Sequence, residues 1–141
     1  MRGMGVLSLL LACLLSVSSA SAQEEETEAG AEASAAHTLY IDLKPAFVVN
    51  YGGVGRLRYL KTEISLRIEN GEEAVIRHHM PFIRDRLVML LSAATEEEVS
   101  STEGREMLRQ KALEAVRELL AKEEGEQHVV DLLFNSFVIQ R

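Results

Sequence analysis

His78 and His79 are the residues whose type most invites chemistry, and their spacing argues against it. Neighbours on a helix point about 100° apart, so the two imidazoles do not converge on one ion as an i, i+4 pair does. They read as solvated or capping histidines, and His37 and His128 are isolated in sequence. Cys13 is the only cysteine, and it falls inside an apolar N-terminal run. No serine sits in a G-x-S-x-G elbow. Gly52, Gly53 and Gly55 do not lead directly into a helix, as a phosphate cradle requires. Glu96, Glu97 and Glu98 form a dense acidic run, but without the oxygen-ligand spacing of a calcium loop. They suit the first turn of a helix, where the dipole favours negative charge. No catalytic residue, metal ligand or cofactor is expected; an active site would have to be assembled from carboxylates far apart in sequence.

The elements that would position any site begin with the N-terminus. Arg2, the apolar run Gly5 to Leu15 and the small residues Ser16 to Ala22 are the three parts of a signal peptide. Ala20 and Ala22 form an A-x-A site, so the mature chain is expected to start at Gln23. The competing reading is a short membrane anchor, but Met4 to Val17 makes only about 21 Å of helix against about 30 Å of hydrocarbon. Leu10, Leu11, Ala12 and Cys13 loosely resemble a lipoprotein box, although strong apolar residues continue beyond Cys13. Cleavage after Ala22 removes that thiol, leaving no disulfide to stabilise the fold.

Residues 23–38 carry Glu24, Glu25, Glu26, Glu28 and Glu32 without a single Lys or Arg, and read as a flexible acidic tether. Five of the 22 acidic residues and Arg2 of the 15 basic ones precede His37, which leaves 17 acidic against 14 basic in the remainder. Their signs are mixed, so no basic stripe is offered to nucleic acid or anionic lipid. Residues 39–141 are then one domain with its own core.

Within that domain Leu60, Thr62, Ile64, Leu66 and Ile68 alternate with Tyr59, Lys61, Glu63, Ser65 and Arg67, the period of a half-buried strand with a charged outer face. Shorter strands are expected at Leu39 to Leu43 and Ala46 to Val49, separated at Lys44-Pro45, with a glycine-rich hairpin turn into the long strand. Asn70-Gly71 ends it, and Glu72 and Glu73 open a helix in which Pro81 either makes a kink or starts a second helix. Thr95 with Glu98, and Ser100 with Glu103, have capping-box spacing, and predict a short helical turn followed by a fresh helix. That helix buries Leu108, Ala112, Ala115, Val116, Leu119 and Leu120 and stops at Gly125. The last strand, His128 to Gln140, is expected to put Val130, Leu132, Phe134 and Val138 on one face and Leu133, Phe137 and Ile139 on the other. A strand apolar on both faces is either central in its sheet or an edge prepared for another chain. The fold class is therefore α/β in the broad sense, more narrowly α+β: a small sheet with a hairpin, two to three helices and a C-terminal strand. Phe47, Phe137 and Tyr59 are expected in the core.

Taken in order, these segments resemble the FliL family from about Tyr40 to Gln140. The resemblance is carried by Leu43-Lys44-Pro45-Ala46-Phe47-Val48-Val49-Asn50, Arg58-Tyr59-Leu60-Lys61, Glu63-Ile64-Ser65-Leu66, Pro81-Phe82-Ile83-Arg84-Asp85, Leu90-Leu91-Ser92 with Thr95 and Glu97, Ser101-Thr102-Glu103-Gly104-Arg105, and Phe134 with Phe137-Val138-Ile139-Gln140. It implies a periplasmic domain similar to the stomatin-type fold, forming homo-oligomeric rings at the inner membrane around MotA/MotB-type stator units of the flagellar basal body. The implied role is non-enzymatic support of the stator in rotation and swarming. The chain departs from the family in its short cleavable-looking signal and in an extra alanine between Pro45 and Phe47. Partner contacts are expected at Arg84 and Asp85, whose alternative is a local charge pair, and at Glu103 and Arg105, which open the last helix against a neighbouring subunit. An envelope protein-binding module unrelated to motility and a hydrolase of scattered residues are the other two readings.

Overall fold

The alternation of the long strand decides the layout of the domain. In the computed structural model, which describes residues 38–55 and 57–141, strand β3 runs Tyr59–Glu69. Leu60, Thr62, Ile64, Leu66 and Ile68 on one face are each no more than 1% exposed. The proposed signal peptide, its cleavage site at Ala22 and Gln23, and the tether up to residue 37 lie outside the described residues.

β1 (Thr38–Asp42) and β2 (Phe47–Asn50) both pair antiparallel with β3, at Ser65 to Glu69 and at Tyr59 to Thr62 respectively. They lie end to end along one side of it, interrupted around Lys44-Pro45. β4 (Val129–Gln140) pairs antiparallel along the whole other side, from Tyr59↔Gln140 to Ile68↔Val129. The last strand is thus an edge, and its outer side has no ladder partner among the described residues.

Helix α1 (Glu73–Ser92), the short α2 (Glu96–Ser100) and α3 (Thr102–Glu124) follow β3 in sequence. α1 is one helix despite Pro81. Ile76, Ile83, Leu87 and Leu91 seat it on the core on both sides of the proline. Pro81 and Arg77 are both exposed, so the Arg77 carbonyl that loses its amide donor is open to water. α3 adds Leu108, Ala112, Val116 and Leu120. Each of these larger side chains gains roughly 1.5–3 kcal/mol on leaving water. The result is an α+β fold, a four-stranded antiparallel sheet packed with three helices.

Four local expectations change. The helix cap after α2 is Ser101, whose Oγ accepts from the Gly104 amide at 2.9 Å; Ser100 belongs to α2 and makes no box with Glu103. The Thr95–Glu98 box is present. The faces of β4 differ because two register shifts, at Glu63/Ile64 and Arg67/Ile68, leave Asn135 and Val130 bulged. Each bulge reverses the side-chain alternation. Val129, Leu132, Phe134, Phe137 and Ile139 therefore share the core face opposite Ile68, Leu66, Ile64, Thr62 and Leu60. Leu133 and Val138 fall on the other face, and the strand is apolar on one side. Ser65, on the outer face, is buried, bonded to Asp42 at 2.6 Å and to bulged Asn135 at 2.5 Å. That hydrogen bond from Ser65 holds the Asp42 carboxyl below its ordinary range. Tyr59, expected in the core, is exposed on the outer face, whereas Phe47 is buried and Phe137 packs against the core.

Candidate functional site

The four residues expected at partner contacts divide into two kinds. Arg84, on α1, donates from Nη1 to the Leu43 carbonyl at 2.9 Å, and its guanidinium stands 4.2 Å from the centre of the Phe47 ring. It ties α1 to the break between β1 and β2 instead of pairing with Asp85. Arg105 is half-buried, 5.8 Å over the Phe137 ring, which itself tilts against Phe134 at 5.2 Å. Asp85 and Glu103 are exposed and make no ion pair among the described residues. Of the four, only these two are fully exposed. Phe82 and Met89 flank Asp85 along the exposed side of α1.

The corner between α2 and α3 is held by its glycine. A Cβ on Gly104 would stand 2.5 Å from the Glu97 carbonyl oxygen and 2.7 Å from Glu98 Cα, so the two helices meet this closely only over a hydrogen atom. Glu98 also pairs with Lys111, and that contact with the Thr95 amide bond holds its carboxyl below the ordinary range. Nearby, Glu96 accepts from Arg58 at 2.9 Å and from Arg141 at 3.1 Å, joining the start of β3 to the C-terminus.

α3 is fastened to β4 by two arginines. Arg117 donates to the Val129 and Val130 carbonyls at 2.9 and 2.7 Å. Arg109 contacts Asp131 at 2.5 Å, the Leu132 carbonyl at 3.0 Å and Glu106 at 2.6 Å. The Arg109 hydrogen bond lowers the Glu106 carboxyl to about 2.

At the far end of β3 the structure joins residues that sequence distance kept apart. His79 Nε2 lies 2.5 Å from Glu124 Oε1, and His128 Nδ1 contacts Glu72. The His79 hydrogen bond holds the Glu124 carboxyl below its ordinary range. Separations of 45 and 56 residues hid these pairs. Among the described residues no group of three His, Cys, Asp or Glu side chains stands together as a metal site. The notch at the β1–β2 break, lined by Asp42, Lys44, Pro45, Glu63 and Asn135, has its Asp42–Ser65–Asn135 groups bonded to one another.

The family model described as flagellar basal body-associated protein FliL matches residues 40–140, which takes in nearly every residue of all four strands and three helices. The chain belongs to the FliL family. It is 30% identical over 99 residues to the flagellar protein FliL of Aquifex aeolicus (strain VF5), covering 70% of this chain. It spans 59% of that relative's length. Segments that carry the FliL resemblance meet in space where Arg84 touches Leu43 and Phe47 and where Arg105 covers Phe137, and Arg58 bonds to Glu96, which lies between Thr95 and Glu97. In this FliL-family domain those residues hold the fold together. Among the described residues, no helix is long and apolar enough to cross a membrane.

Proposed function

We propose that this FliL-family chain is a non-enzymatic accessory protein of the flagellar basal body that supports the stator units, and through them rotation and swarming. The reading rests above all on the family match from residue 40 to residue 140, which spans the folded domain and not an isolated motif. Support by contact needs a rigid domain and a presented surface. Arg84, Gly104 and Arg105 serve the first; Asp85 and Glu103 offer the second. We assign the domain to the periplasm beside the inner membrane, with cleavage after Ala22 releasing a chain that starts at Gln23. Copies assemble into rings, with Glu103 near the contact between subunits.

The test is deletion of the gene in its host followed by complementation. Loss of swimming or swarming, restored by the wild-type gene, supports the reading. Unchanged motility together with normal envelope localisation favours a protein-binding module unrelated to the motor. Intact mass of the native protein decides the N-terminus: a mass beginning at Gln23 supports cleavage, and a full-length membrane-bound chain contradicts it.

A further inference from the structure

Two imidazoles from distant parts of the chain each meet one carboxylate where α1 begins and α3 ends. The His79 and His128 side chains are only 7% and 10% exposed, and each leaves its other ring nitrogen, Nδ1 of His79 and Nε2 of His128, buried without a partner. The groups around them are mostly acidic. Glu69 from the end of β3, Glu72 from the cap of α1 and Glu126 from the turn after α3 line one recess with His128. Glu124 of α3 feels His79, His128 and His78 together. His78 stands edge-on to His79 at 4.8 Å, with the apolar Phe82 ring 6.4 Å away. Two fixed cations at this end are engaged elsewhere, Arg117 with backbone carbonyls of β4 and Arg67 with Asp131. His128 also holds its backbone at φ 52°, a left-handed conformation unusual for a residue with a Cβ. Its anchor to Glu72 thereby directs the chain into β4.

We propose that this cluster is a pH-gated latch that fixes the start of β4 and the end of α3 to the start of α1. The latch is closed when the imidazoles are protonated and loosens as they lose charge. An imidazolium facing a carboxylate makes a charge-assisted hydrogen bond about twice as strong as a neutral one and supplies the positive charge that Glu69, Glu72, Glu124 and Glu126 otherwise lack, and this gain offsets the buried N–H that protonation adds at His79 Nδ1 and His128 Nε2. A neutral ring keeps one N–H and leaves the carboxylates uncompensated. Below the carboxylate range the latch loosens again, because its acceptors become neutral. Its strength therefore peaks where the carboxylates are ionised and the imidazoles charged.

Hydrogen exchange of the full chain, followed amide by amide from pH 4 to pH 8 and corrected for intrinsic rates, tests this. Protection of residues 121–131 is expected to peak near the acidic end and to fall roughly fivefold by pH 8. Leu60 to Thr62, at the end of β3 away from the histidines, stay constant. His128→Gln and Glu72→Gln are each expected to flatten the profile while leaving the Leu60 to Thr62 amides protected. Protection of residues 121–131 that is flat from pH 5 to pH 8 in the wild-type chain overturns the proposal, as does an unaltered profile in both variants. Should a variant fail to fold, the wild-type profile alone decides.

Discussion

The two ends of β3 are secured by different chemistry. At the Tyr59 end the contacts are guanidinium contacts: Arg58 and Arg141 on Glu96, and Arg105 over Phe137, beside the close α2–α3 corner at Gly104. At the Glu69 end two imidazole contacts, His79 on Glu124 and His128 on Glu72, stand beside the Arg117 bonds to the Val129 and Val130 carbonyls. A guanidinium stays charged throughout the biological pH range, whereas an imidazole changes charge within it. Arg58, Gly104, Arg105 and Phe137 belong to segments that carry the family resemblance; Glu72, His79, Glu124 and His128 do not. The family's segments thus fix geometry that pH does not alter, and the responsive end is built from residues outside them.

Several substitutions break or sharpen this contrast. The largest loss is expected from Phe47→Ala, which empties a buried ring site under Arg84 and costs about 3–5 kcal/mol in urea unfolding. Gly104→Ala comes next. Alanine usually stabilises a helix interior relative to glycine, but here its Cβ meets the Glu97 carbonyl at 2.5 Å, so a loss of about 2–3 kcal/mol is expected, and a gain would refute the corner. Arg84→Met keeps much of the stem but removes the bond to the Leu43 carbonyl and the cation over Phe47, for about 1–2 kcal/mol. Arg84→Lys restores little, since only the fork reaches both.

Acid unfolding sharpens the contrast further. The Glu106 carboxyl is depressed to about 2 from an ordinary 4.5, chiefly by the Arg109 hydrogen bond. A depressed carboxyl contributes stability present above its unfolded value and lost as pH falls through the folded one. Arg109→Met should flatten the stability profile between about pH 4.5 and pH 2 and leave the neutral-to-alkaline limb unchanged in shape. The smallest effect on folding belongs to Asp85→Lys with Glu103→Lys. Both side chains are exposed, so stability should move by less than about 0.5 kcal/mol, while crosslinking to partners should be lost. A large loss of stability would instead make these residues structural.

Much of this was legible from the sequence where the signal is local. The alternation of β3, the Thr95–Glu98 box and the Gly125 stop each depend on neighbours within a few residues, and each is present. What escaped depends on chain brought from elsewhere. Reading β4 with an unbroken period of two mixed its faces, because Val130 and Asn135 are inserted into the ladder. Apolar pairs three apart, Val129 with Leu132 and Phe134 with Phe137, were the available sign of those bulges. Pro81 was ambiguous because the helix continues only through seating by Ile76 and Ile83 on the core. Arg84 read as a partner contact or a local pair with Asp85, since Phe47 lies 37 positions away in sequence. The histidine pairs left no local trace at all.

The role proposed for this domain at the flagellar motor requires contacts with the stator. We would test this by in vivo photocrosslinking in the native host from the exposed positions 82 and 107, one helical turn from Asp85 and Glu103, followed by identification of the adducts in purified basal bodies. Adducts with stator protein or with a second copy of the chain are expected, both lost in Asp85→Lys with Glu103→Lys. Adducts solely with envelope proteins unconnected to the motor, and no recovery of the chain with basal bodies, would contradict it.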